Sequence, residues 1–236
     1  MENGRPFRIG PDGISLSAVV HLPAKVPAPV IVCCHGLLSL KDSPKYVAIG
    51  KQMSAAGFCV LRFDFSGCGD SPLRKETLIG ARRRDLDAVL DFSRVQPWSD
   101  GRIGLLGSSL GGYLAILAAN EDPDRIRAVA SWAAPFDISR LDPAESGMDE
   151  LGRLVPGGFR LGEPQNLSSA GGAERVLLIH GREDEVVPWE HSVEIYRRIK
   201  DPKELVLMRT ADHRLVDESW RQAAIRMSLD WFLRFF

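Results

Sequence analysis

Long apolar runs are absent from this sequence. Nothing in it approaches the ~20 consecutive apolar residues that a bilayer crossing needs. The opening MENGRPFRIG has neither an apolar core segment nor the small-residue cleavage pattern of a secretory leader. Charge of one sign is missing too: the formal net charge of the 236-residue chain is −1, so no global field draws nucleic acid or an anionic membrane to it. Cysteines are few, at 33, 34, 59 and 68, and their spacing fits no zinc pattern. Cys33, Cys34 and Cys59 sit in apolar runs, where a reduced cysteine behaves as a small hydrophobe. The sequence also lacks an internal repeat and a low-complexity tract. These absences set the expectation of a soluble cytoplasmic protein with no nucleic-acid or membrane partner. The strongest basic run, Arg82-Arg83-Arg84, is expected to be the solvated face of a helix.

What is present is an alternation of apolar runs and helical patterns. ISLSAVVHL (14–22) alternates as an early strand should, and APVIVCCHG (28–36) is continuous and β-branched, as a strand buried on both faces should be. FCVLRFD (58–64), GRIGLLGS (101–108), RIRAVASWAA (125–134), ERVLLIHG (174–181) and KELVLM (203–208) continue the series. Helical spacing runs over 45–57, ending at Gly57, over 76–95, 110–120, 189–200 and 217–236. In the second of these, Leu78, Leu86, Val89, Leu90 and Val95 are expected to share one stripe. Repeated β-α-β-α order calls for a single α/β domain over residues 1–236, with a mostly parallel sheet covered by helices on both faces. Residues 135–173 are rich in Pro, Gly, Ser and acids, and a connection that long is expected to serve as a small lid or binding loop.

Gly107-Ser108-Ser109-Leu110-Gly111 fits G-x-S-x-G and falls between a predicted strand and a predicted helix. There the turn is sharp enough to hold the central serine in an unfavourable backbone conformation, with small neighbours to avoid a clash. A serine hydroxyl needs a base. Of the five histidines, His35 and His180 precede glycines at strand ends and suit structural or loop-ordering roles. His21 lies in an early strand, and His191 is placed on an exposed helix face. Only His213 follows the last strand, on the sheet edge where the serine turn also opens. A carboxylate must orient that histidine. Asp184 in HGREDEVVP is preferred, with Glu183, Glu185 and Asp137 as competitors. Backbone N–H groups of Leu110, at the helix start, and Leu37, in HGLLS, are placed to hold an oxyanion, with Gly36 letting its loop pass close to the serine.

HGLLSLKDSPKY (35–46), LRFDFSGCGDS (61–71), GLLGSSLGG (104–112) and LIHGREDEVVP (178–188), with Asp212-His213, resemble the α/β-hydrolase superfamily. Within it they are similar to the small serine hydrolases of the dienelactone-hydrolase-like, acyl-aminopeptidase-like and feruloyl-esterase-like groups. The resemblance spans nearly the whole chain. It implies the α/β-hydrolase fold, a hydrolase acting through Ser109, Asp184 and His213, and an oxyanion held by Leu37 and Leu110. Position 109 is serine, where dehalogenase-like members carry aspartate and dienelactone hydrolases proper carry cysteine. The insertion at 135–173 is shorter than that of the feruloyl type.

The expected activity is therefore cleavage of a small-molecule carboxylic ester through an acyl-enzyme, with no metal or organic cofactor. Acyl-aminopeptidase-like amide cleavage and thioester cleavage are the alternatives, and a ligand-binding module retaining the fold is the non-enzymatic one. Leu38, Trp132, Phe136 and Trp189 are candidate pocket walls. The C-terminal LDWFLRFF (229–236) either packs the last helix on the sheet or leaves an apolar patch for a homodimer.

Overall fold

The computed structural model describes residues 4–10, 15–144, 146–150 and 160–236. The strands are β1 (Arg5–Ile9), β2 (Leu16–His21), β3 (Ala28–Cys34), β4 (Cys59–Phe63), β5 (Ser99–Ser108), β6 (Ala128–Trp132), β7 (Val176–Gly181) and β8 (Lys203–Met208). They form one sheet in the order β1-β2-β4-β3-β5-β6-β7-β8. The first two strands make an antiparallel hairpin and β2 pairs antiparallel with β4. From β4 to β8 every pairing is parallel. The C-terminal ends of β3, β5, β7 and β8 therefore open on one rim, which is where open α/β sheets build sites.

The helices are α1 (Pro44–Ala55), α2 (Leu78–Arg94), α3 (Leu110–Glu121), α4 (Glu190–Arg198) and α5 (Glu218–Phe235). Side-chain parity along the strands divides the core. Val30, Val32 and Leu105 face the layer of α2, α3 and α4, while Ile31, Cys33 and Leu106 face α1 and α5. Because both faces are covered, β3 reads as an unbroken apolar run. Helix α3 is buried on nearly all its length, so its apolar residues form no stripe. Gly57 ends α1 at φ 104°, a conformation that favours glycine.

Three local expectations are corrected. Arg82 is buried, not solvated: its guanidinium stacks 4.8 Å from the Phe65 ring and reaches the Cys68 sulfur. Arg83 pairs with Glu121, and of the three arginines only Arg84 has a mostly open side chain. Val95 leaves the stripe of α2, because it caps the helix and is exposed. His191 is buried on α4, where Nδ1 accepts the Phe136 backbone N–H at 2.9 Å. At the C-terminus Trp231 and Phe232 are buried against the sheet, and the Trp231 indole N–H donates to the Arg175 carbonyl. No helix among the described residues is long and apolar enough to cross a membrane.

Candidate active site

Ser109 links β5 to α3 with φ 55° and ψ −126°. A non-glycine residue in that region carries about 1–3 kcal/mol of strain, which packing on both sides must hold. Here the packing is backbone on backbone. A Cβ on Gly107 would stand 2.2 Å from the Gly111 carbonyl oxygen, and one on Gly111 would stand 2.0 Å from that of Cys34. The Ser109 N–H donates to the Trp132 carbonyl at 2.8 Å, and its carbonyl accepts the Tyr113 N–H. The hydroxyl has no hydrogen-bond partner among the described residues and fronts an open cleft.

Asp184 follows β7 and His213 follows β8. The two loops meet because Gly181 ends β7: a Cβ there would lie 2.1 Å from the Ala211 carbonyl oxygen. Asp184 Oδ1 accepts the N–H groups of Val186 and Val187 at 2.9 and 2.7 Å. Its Oδ2 lies 2.8 Å from His213 Nδ1 and 3.1 Å from His180 Nε2. Burial works against the charge of this carboxylate. The contacts with His180, His213 and the Val187 N–H outweigh it and hold the group well below the usual carboxylate range. An ionised Asp184 accepts only, so His213 Nδ1 is the donor to it, and in the neutral ring Nε2 is the nitrogen that keeps its lone pair. By the same logic His180 Nε2 donates, because the Val187 carbonyl and Asp184 both accept there, and Nδ1 receives the Ser192 hydroxyl at 2.6 Å.

None of the competing carboxylates pairs with the His213 ring. Glu183 is exposed, Glu185 accepts the His213 backbone N–H, and Asp137 caps a short 3₁₀ turn through Ser139. His180 is the residue whose part in the site exceeds its sequence reading. It orders the loop, as its position before Gly181 suggested, but it does so through the carboxylate itself.

The loop after β3 completes the rim. A Cβ on Gly36 would come within 3.2 Å of the Ser109 Cβ, so the glycine permits the close approach. The loop is anchored from β4: buried Asp64 accepts both the Lys41 backbone N–H at 2.7 Å and the Lys41 ammonium at 2.8 Å. Burial opposes the charge on Lys41, but Asp64 and Asp42 hold its pKa above the usual lysine value. Thus the DFSGCGDS segment, beginning with Asp64, positions the Leu37 loop. Leu110 opens α3, and its N–H belongs to the first turn, which has no intrahelical acceptor.

Two hollows meet at Ser109. One is a narrow apolar slot lined by Leu37, Leu110, Ile138, Leu141, Met148 and Leu161. The other is a polar cleft of about 580 Å³ reaching Ser109, His213, Lys45, Arg214 and Arg221. The described parts of the 135–173 connection thus wall the site, while residues 145 and 151–159 of it lie outside the described residues. Leu38 lines the cleft. Trp132, expected as a pocket wall, shares parity with Ala128 and Ala130, so it points into the α1/α5 layer and donates to Ser228 Oγ at 2.9 Å. Phe136 is likewise buried away from both hollows, beneath the Arg198 guanidinium. Trp189 stacks with Arg182 and lines neither hollow. Among the described residues no group of three His, Cys, Asp or Glu side chains could hold a metal ion.

The comparisons with known proteins agree with this architecture. The sequence model of the alpha/beta hydrolase fold matches residues 29–161, and the chain belongs to that family. It is 27% identical over 219 residues to mouse mitochondrial palmitoyl-protein thioesterase ABHD10, covering 83% of this chain and 72% of the relative. The solved structure of mouse ABHD10 superposes with a TM-score of 0.75 at 25% identity, covering 99% of this chain and all of that one. Est1E from Butyrivibrio proteoclasticus, solved with ferulic acid bound, gives a TM-score of 0.73 at 21% identity over 96% of this chain and 99% of that one, a likeness of fold. The protein is therefore an α/β hydrolase.

Proposed function

We propose that this protein is a serine hydrolase that cleaves carboxylic esters or thioesters through an acyl-enzyme on Ser109. The observation that carries the proposal is the placement of a strained serine hydroxyl and a carboxylate-paired imidazole on one cleft. Ser109 Oγ attacks the carbonyl carbon while His213 Nε2 takes the hydroxyl proton. The carbonyl oxygen becomes an oxyanion held by the N–H groups of Leu37 and Leu110. Collapse expels the alcohol or thiol, which leaves with the proton from His213. Water, deprotonated by the same nitrogen, then attacks the acyl carbon, and the free acid departs from a restored Ser109. Asp184 stays ionised throughout, fixes the tautomer and stabilises the imidazolium. The hydroxyl-to-imidazole hydrogen bond closes when substrate is seated, since catalytic hydrogen bonds are commonly loose in unliganded sites.

Thioester cleavage stands beside ester cleavage because the similar ABHD10 is named a palmitoyl-protein thioesterase. A panel of p-nitrophenyl esters, acyl-CoA thioesters and aminoacyl anilides tests the proposal. Turnover of esters or thioesters, abolished by Ser109→Ala, is the expected result. Turnover of the anilides alone would overturn it in favour of an amidase.

A further inference from the structure

Ser109 divides its surroundings unevenly. The slot on one side is apolar, while the cleft on the other carries Lys45, Arg214 and Arg221. Among the described residues lining that cleft, Glu150 is the one carboxylate. Lys45 comes from the first turn of α1, and its ammonium donates to Ser108 Oγ at 2.9 Å, one residue from the nucleophile. No described carboxylate forms an ion pair with Lys45 or Arg214, while Arg221 is paired with Glu218. Lys45 is also depressed, to about 8, first by burial and then by repulsion from Arg214 and Arg221, with Asp212 acting the other way. Ser43 and Pro44, at the positive end of α1, line the same wall. Lys45, partly buried and without a carboxylate partner among the described residues, is the cation whose charge is costly until an anion enters, while Arg214 is exposed and Arg221 already has Glu218.

Resting on the hydrolase reading above, we propose that the Lys45–Arg214–Arg221 edge of the cleft recognises an anionic group on the substrate, a carboxylate or a phosphate. The scissile carbonyl sits at Ser109, the apolar part of the acyl group enters the slot, and the anion lies in the cleft on the leaving-group side. Lys45 is not needed for the chemical step, because the proton passes between Ser109 and His213. Its role and that of the arginines is to bind and position.

The test uses three butyrate esters with the same acyl group: phenyl, 4-carboxyphenyl and 4-phosphophenyl. The expected result is a kcat/KM for an anionic ester about tenfold or more above that of the neutral one, carried by KM and reduced by added salt. The carboxylate and phosphate arms distinguish the two anion types. In Arg214→Ala and Lys45→Met the anionic-to-neutral ratio falls by about tenfold each. Calorimetric titration of Ser109→Ala protein with benzoate, phenyl phosphate and benzyl alcohol reads the same site without turnover. Equal kcat/KM for all three esters would overturn the anion site and leave the hydrolase reading standing. Anion binding without turnover of any ester would overturn the hydrolase reading and support the anion site. Failure of both anions to bind better than the alcohol would overturn the anion site.

Discussion

The buried imidazole of His180 lies 3.1 Å from Oδ2 of Asp184, the same oxygen that His213 reaches at 2.8 Å. One carboxylate oxygen thus serves two histidines, only one of which opens on the cleft. His180 is held in turn by Ser192 and the Val187 carbonyl, so it fixes Asp184 from the core side. Replacing His180 by alanine should lower kcat by about 10- to 100-fold with little change in KM, since it frees the carboxylate that orients His213. Ser192→Ala should do the same more weakly. Steady-state kinetics on folded variants checks this, and an unchanged kcat in His180→Ala would rule out the positioning role.

The close approach of the Leu37 loop to Ser109 depends on Gly36. Gly36→Ala should push that loop away and cost about 10²-fold in kcat, comparable to loss of one oxyanion donor. Gly111→Ala is a different case, because the added methyl would sit 2.0 Å from the Cys34 carbonyl oxygen. It should cost about 3 kcal/mol of stability, read by urea unfolding.

These positions show what was legible from sequence. The serine turn, the order of strands and helices, and the convergence of Asp184 and His213 follow from residue type and spacing, because each is a local demand repeated along the chain. What was not legible depended on facing. Trp132 follows a strand end and so resembled a pocket wall, yet its parity with Ala128 and Ala130 sends it to the α5 side. His191 and Arg82 looked solvent-facing because they are polar, and both are buried against partners distant in sequence, Phe136 and Phe65. The cation edge is not legible in the sequence because Lys45, on α1, is far along the chain from Arg214 and Arg221 and only the fold brings them to one cleft.

The depressed pKa of Asp184 ties stability to pH. A free carboxylate titrates near ~3.9 in the unfolded chain, and this one is held lower in the fold. Its contribution is present in full above the unfolded value and is lost as pH falls through the folded one. Below about pH 4 the wild-type melting temperature should therefore fall more steeply than that of Asp184→Asn. Parallel slopes from pH 5 to pH 2 would contradict this account of the site's electrostatics.

Lys45 supplies a second pH dependence. Its ammonium, facing Ser108, Tyr46, Arg214, Arg221 and Asp212, loses its proton near pH 8 in the unliganded protein. Preference for an anionic ester over the neutral one should be greatest below that pH and decline above it. The Lys45→Met variant should show a flat ratio across the same range. A wild-type ratio that does not change between pH 7 and pH 9.5 would remove Lys45 from the anion site.

The central claim is that Ser109 is the nucleophile. Its most direct measurement is labelling of the native protein with a fluorophosphonate, followed by peptide mass spectrometry. The account predicts one phosphonate per chain, on the peptide containing Ser109, abolished in Ser109→Ala and strongly slowed in His213→Ala. An unlabelled wild-type protein, or a label carried on any other residue, would contradict it.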